Sequence, residues 1–132
     1  MEQRLNLTLD DYKYYSSIEI ELKFDDGKYG KFINISDYEK GYFHIYFDNS
    51  KNEISRNYLD KNDKVKTIKI FINNQVKSFN QLFDNCLFIN SIFFKKFKTD
   101  NITDMSYMFN GCTSLKELNL SEFNTEEVTN FI

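Results

Sequence analysis

The chain has 132 residues, 41% of them hydrophobic, which suits one folded domain or a small domain continued by a short repeat array and excludes a disordered chain. Its 20 acidic and 17 basic residues leave a net charge of −3, so the expectation is no nucleic-acid partner and no polybasic membrane anchor. No apolar run approaches the roughly 20 residues that cross a bilayer, and "MEQRLNLTLDDYKYYSS" lacks the apolar core of a signal peptide; a soluble chain without membrane insertion is expected.

The first predicted element lies at 17–24, where Ile18, Ile20, Leu22 and Phe24 alternate with Glu19, Glu21 and Lys23, the pattern of a half-buried strand. Asp25-Asp26-Gly27 then offers turn residues before the apolar run from Tyr29 to Ile35, which predicts a β-hairpin. A further strand is expected at 41–49, with Phe43, Ile45 and Phe47 on one face and Tyr42, His44 and Tyr46 on the other, both at least partly covered. "KVKTIKIFIN" at 64–73 alternates again and leads into the C-terminal half. The acidic pairs Asp10-Asp11 and Asp25-Asp26 lack the alternating spacing of a calcium loop and read as turn and cap residues.

From Val76 onward the chain repeats itself. Shifting "ITDMSYMFNGCTSLKELNLSEFNTE" back by 26 sets Ile102 on Val76, Met105 on Phe79, Met108 on Leu82, Phe109 on Phe83 and Cys112 on Cys86. Leu115 then falls on Ile89, Leu118 on Ile92, Leu120 on Phe94 and Phe123 on Phe97, without a gap. With Thr125 on Thr99, ten apolar or special positions in phase make an internal repeat. Ile102, Met105, Met108 and Phe109 share a helical stripe that Thr103 would cap and Asn110-Gly111 would end. "LKELNL" from Leu115 to Leu120 follows as a strand of the L-x-x-L-x-L type. Two more steps of 26 place the strand around Ile68 where a repeat strand belongs, as the join between cap and array.

M-x-x-M-F-x-G-C, L-x-x-L-x-L-S-x-F and N-T-x-x-V-T, as they stand in 102–131, resemble the repeat of the BspA-like leucine-rich-repeat family. That resemblance covers 76–132. It implies a surface or secreted protein with a binding or adhesion role, although nothing in the chain itself distinguishes this from a cytoplasmic one. The first unit departs from the pattern, with Asn85 in place of the glycine and Phe79 and Leu82 in place of the methionines.

The expected fold class is therefore α+β: a β-rich N-terminal cap over 1–64, then a short leucine-rich-repeat solenoid of helix-turn-strand units. The array comprises a capping strand at 65–75, repeats at 76–101 and 102–127, and a truncated repeat at 128–132. Its outward strand residues are the candidate binding face: Ser91, Phe93 and Lys95, with Glu117, Asn119 and Ser121, preceded in phase by Val65, Thr67 and Lys69. Phe93 reads equally as an anchor for a protein partner or as a side chain packed on its neighbours.

Chemistry-bearing motifs are sparse, and no cofactor, metal or catalytic residue is expected. Cys86 and Cys112 are too few for a structural zinc site; a disulfide requires Cα atoms about 5.5 Å apart, and buried packing thiols are the favoured reading. His44, the one histidine, alternates with tyrosines in a strand and reads as structural. Alanine, proline and tryptophan are absent while Lys, Asn, Ile, Phe and Tyr abound, the mark of AT-rich codons; the sequons at Asn6, Asn34, Asn101 and Asn119 arise freely from that bias. The function expected is a non-enzymatic interaction or adhesion module, with a structural capping segment as the alternative. The uncovered last unit adds an expectation of self-association through its C-terminal edge, as a closed two-fold dimer or as open chains.

Overall fold

The computed structural model describes residues 7–123 and 128–129. Among them are one α-helix, α1 (Leu9–Tyr15), a single 3-10 turn (Lys40–Tyr42), and eight strands: β1 (Ile18–Lys23), β2 (Gly30–Lys31), β3 (Phe43–Phe47), β4 (Glu53–Ile54), β5 (Tyr58–Leu59), β6 (Thr67–Ile72), β7 (Ser91–Phe97) and β8 (Glu117–Asn119). Six strands form one mixed sheet in the order β4-β3-β6-β1-β7-β8, in which only β7 and β8 run parallel. β2 and β5 make a separate two-stranded ribbon.

The alternation at 18–23 has the consequence expected of it: Ile18, Ile20 and Leu22 are fully buried, and the intervening charges take the opposite face. The hairpin does not form. Gly27 does take a positive φ of 78°, but the chain beyond it leaves the sheet, and both edges of β1 are occupied by β6 and β7. Phe32 and Ile33 are instead driven under the sheet, where they are fully buried with Leu59, Val76, Phe79 and Phe83 in the main core. β6 also departs from expectation. It stands in the phase of a repeat strand, yet its neighbours are β1 and β3, both antiparallel to it, and β1 separates it from β7.

The helix-turn-strand solenoid, and with it the α+β class, is overturned: the described chain is mostly sheet with one short helix at its N-terminal end. In the segments expected to be helical, the apolar spacing is right and the conformation is not. Val76, Phe79 and Leu82, like Ile102, Met105 and Met108, are buried. Gln81 and Asn85 (φ 58° each), and 26 residues later Tyr107 (φ 56°) and Gly111 (φ 72°), lie in the left-handed region, through which a right-handed helix cannot pass. Amides therefore alternate in direction. Those of Phe79, Gln81, Phe83 and Asn85 donate across to the carbonyls of Asp104, Ser106, Met108 and Asn110 at 2.8–2.9 Å, while those of Leu82, Asp84 and Cys86 close turns on Phe79, Gln81 and Phe83. A run of four-residue turns repeats its buried side chains at intervals of three and four, the same spacing a helix stripe has.

This ladder ends differently on its two sides. Leu82 and Asp84 are the phase equivalents of Met108 and Asn110, and Asn34 occupies them: its amide donates to the Leu82 carbonyl at 2.8 Å, and its Nδ2 to those of Gln81 and Asp84 at 2.8 and 2.9 Å. On the other side Phe83 stacks on Phe109, and Phe94 and Phe97 both pack on Phe123. The truncated repeat expected at 128–132 lies outside the described residues except for Val128 and Thr129; the Thr129 amide donates to the Thr103 carbonyl, again 26 residues away.

Candidate functional site

The outer face of the sheet is set by cross-strand register. One row runs Tyr46, Lys69, Glu21, Phe93, Asn119, and the next Thr67, Lys23, Ser91, Glu117. Half of this face is roofed. Thr8 and Asp11 cap each other at the start of α1, with the Thr8 amide donating to Asp11 Oδ2 at 2.9 Å. The helix then lays Leu9 on Tyr46 and Phe71 and stacks Tyr12 on the His44 ring at 3.7 Å. Lys96 Nζ reaches the Tyr14 carbonyl at 3.3 Å and ties down the helix end.

Lys96 can do this because of a bulge. β1 and β7 pair Ile20 with Phe94 but Glu19 with Lys96, so Lys95 is the extra residue. The bulge reverses the alternation after Phe94: Lys96 faces α1, and Phe97 turns into the core. Lys95 bends back to Glu21, with Nζ 3.0 Å from Oε2, and Lys23 lies 3.5 Å from Oε1. Glu21 is only 13% exposed. Burial alone would raise its carboxyl pKa; the Lys95 hydrogen bond and the charges of both lysines outweigh that and hold it below the usual value.

The unroofed half carries most of the residues singled out by sequence. Ser91 and Phe93 on β7 lie beside Glu117 and Asn119 on β8, and Phe93 is half-buried between Glu21 and Asn119. A groove of about 360 Å³ runs here, lined by Lys23, Phe24, Ser91, Phe93, Lys116 and Glu117 among others. Lys95 is drawn off toward β1. Ser121 lies past the end of β8, its amide and hydroxyl both donating to Asn119 Oδ1 at 3.0 and 2.8 Å. Thr67 and Lys69 share the outer face but stand behind β1, and Val65 packs against the core. Sequence reading missed Glu21 and Lys23, which are some 70 residues away along the chain, although their place on the polar side of an alternating strand was the available signal. It also missed α1, whose signal is the Thr8-x-x-Asp11 capping box.

His44 Nδ1 lies 2.8 Å from Glu53 Oε1 under the Tyr12 ring. Burial, then the Glu53 carboxylate, pushes the neighbouring Tyr46 hydroxyl pKa up. Cys86 and Cys112 are free thiols. Cys112 Sγ donates to the Phe83 carbonyl at 3.0 Å, linking the second unit to the first, and burial pushes Cys86 up to about 12. Among the described residues no group of three or more His, Cys, Asp or Glu is placed to hold a metal ion, and no helix is long and apolar enough to cross a membrane.

No curated protein and no solved structure matches the chain. The family model that does match covers residues 52–132, the strands from β4 to β8 and the whole turn run, and by it the chain belongs to the family described as Mycoplasma protein of unknown function, DUF285.

Proposed function

We propose that this chain is a non-enzymatic protein-interaction or adhesion module of the BspA-like kind, and that the bare half of the outer sheet face, centred on Phe93, is its contact surface. The 26-residue phase that carries the BspA-like resemblance is the phase of the hydrogen-bond ladder, and the family membership agrees with it. The observation that favours this face is the contrast between its halves. α1 covers the aromatic rows on β3 and β6, while Phe93 stands without such a roof beside a groove edged by Lys23, Lys116 and Glu117. A half-buried aromatic ringed by polar and charged groups is the composition of an interface anchor. It offers a protein partner apolar area with a charged rim that fixes register.

The test replaces Phe93 and, separately, Tyr38 with a photoreactive phenylalanine analogue in cells that make the protein. Tyr38 is 97% exposed, in the loop before β3, and does not line the groove. The expected result is a discrete protein adduct from position 93 alone, weakened by Phe24→Ala and Lys116→Ala with folding retained. Identical adducts from both positions, or adducts indifferent to those changes, would remove the outer face from consideration. That second result would favour the alternative in which the segment caps a repeat run and recognition lies elsewhere.

A further inference from the structure

The groove on the bare half of the outer face brings three unmet demands together. The first is aromatic. Phe24 and Phe93 both line the groove; the Phe24 ring meets Phe88 edge-on at 5.0 Å, whereas no ring packs on half-buried Phe93 among the described residues. The second is an acceptor. Asn90, in the groove wall just before β7, donates from Nδ2 to the Ser114 carbonyl at 3.2 Å, and its buried Oδ1 accepts no hydrogen bond among the described residues. An acceptor left in that state destabilises the site until a donor reaches it. The third is charge. Lys23 lies 3.5 Å from Glu21, which also binds Lys95. Asp25, Glu117 and Lys116 are exposed without an ion pair among the described residues, so unpaired carboxylates outnumber unpaired ammonium groups two to one in the groove lining.

We infer that the groove takes an arginine side chain of the partner protein, with its guanidinium on the Phe93 ring and between the carboxylates of Asp25 and Glu117. This rests on the outer-face reading above and names what that face recognises. A guanidinium carries a fixed positive charge, a weakly hydrated flat face that lies on aromatic rings, and a fork of N–H donors around its edge. It meets all three demands: the flat face covers Phe93, the charge answers the two carboxylates, and an edge N–H is offered to Asn90 Oδ1 as that amide turns toward it. A lysine ammonium brings the charge in a compact, strongly hydrated head without the flat face. A carboxylate ligand would meet Asp25 and Glu117 with like charge and offer Asn90 no donor. Lys116 stays outside this pairing, at the charged rim. β1 and β8 flank β7 on its two sides, so the groove belongs to the face of the sheet; a strand added beyond β8 in the same phase would extend that face without covering it.

The test titrates the isotope-labelled chain with N-acetyl-arginine methylamide, followed by nuclear magnetic resonance, with the neutral citrulline analogue and the lysine analogue as controls. The arginine probe is expected to shift the Phe93 ring and Asn90 side-chain amide signals saturably, with lysine binding more weakly and citrulline at least about fivefold more weakly. Asp25→Asn combined with Glu117→Gln removes both charges at two exposed positions, and Phe93→Leu removes the ring while keeping an apolar side chain. Each is expected to weaken the arginine probe at least about threefold, with the backbone amide spectrum otherwise native. Citrulline or lysine bound as tightly as arginine, or an arginine affinity indifferent to these variants, would overturn the inference. Failure here with a position-93 protein adduct still formed removes the guanidinium and keeps the face; loss of the adduct as well removes both.

Discussion

Replacing Gly111 with alanine tests the turn run at its most constrained point. Gly111 has φ 72°, and an added Cβ would stand 2.5 Å from Asn85 Oδ1 on the neighbouring unit. The left-handed conformation costs a residue with a Cβ about 1–2 kcal/mol, and alanine returns roughly 0.4–1 kcal/mol by restricting the unfolded chain. The contact is relieved only if the exposed Asn85 side chain swings away. The net expectation is a loss of about 1 kcal/mol, read from urea unfolding followed by far-ultraviolet circular dichroism and tyrosine fluorescence. The exchange Asn85→Gly with Gly111→Asn separates the two causes. Asparagine tolerates the left-handed region, as Asn85 does at φ 58°, and glycine at 85 removes the obstructing oxygen, so the double variant is expected to recover most of the loss. A Gly111→Ala protein as stable as the parent would refute the left-handed turn. A double variant no better than Gly111→Ala would refute the inter-unit contact.

Asn34→Ala strips donors from the carbonyls of Gln81 and Asp84; water reaches this partly exposed site, so a loss near the lower end of the 1–3 kcal/mol range for an unsatisfied group, about 1 kcal/mol, is expected in the same unfolding assay. Asp63 is held at about 2 by its Arg56 hydrogen bond first and the Asp60 amide second. Because its folded value lies below the unfolded one of about 3.9, its contribution is complete above that value and vanishes as pH falls through about 2. Asp63→Asn should therefore lower stability modestly at pH 7 and flatten the acid limb between those values; an unchanged acid limb would contradict it. Alkylation should modify Cys112, half-buried, before Cys86, which burial protects and pushes up to about 12, and reduction should leave the native mass unchanged. Labelling of Cys86 first would remove it from the core.

What the sequence made legible was spacing, and what it withheld was direction. Alternation located β1, β3 and β6, because one buried face imposes a period of two wherever the strand ends up in the sheet. It could not say that β1 would take both β6 and β7 as neighbours, since pairing partners leave no mark on the alternation of a single strand. The 26-residue echo fixed which residues stack, including Phe83 on Phe109 and Ser91 beside Glu117. The helix was misread because turns of four residues and helical turns bury the same positions; only the left-handed residues distinguish them, and Gln81 and Tyr107 are not residues that advertise a positive φ. On the candidate face, Phe93 and Asn119 followed from phase. The recruitment of Glu21 required the tertiary fold, and the bulge at Lys95 required the mismatch between two strands, which neither strand contains alone.

The most direct test of the account is the detection of scalar couplings across hydrogen bonds in isotope-labelled protein. Transfer from the Phe83 nitrogen to the Met108 carbonyl carbon, and from the Asn85 nitrogen to that of Asn110, is expected, as these pairs lie 2.9 and 2.8 Å apart across the two units. Couplings from Phe83 and Asn85 to the carbonyls four residues earlier in their own unit, with none across the units, would restore the helix and contradict the ladder that Asn34 caps.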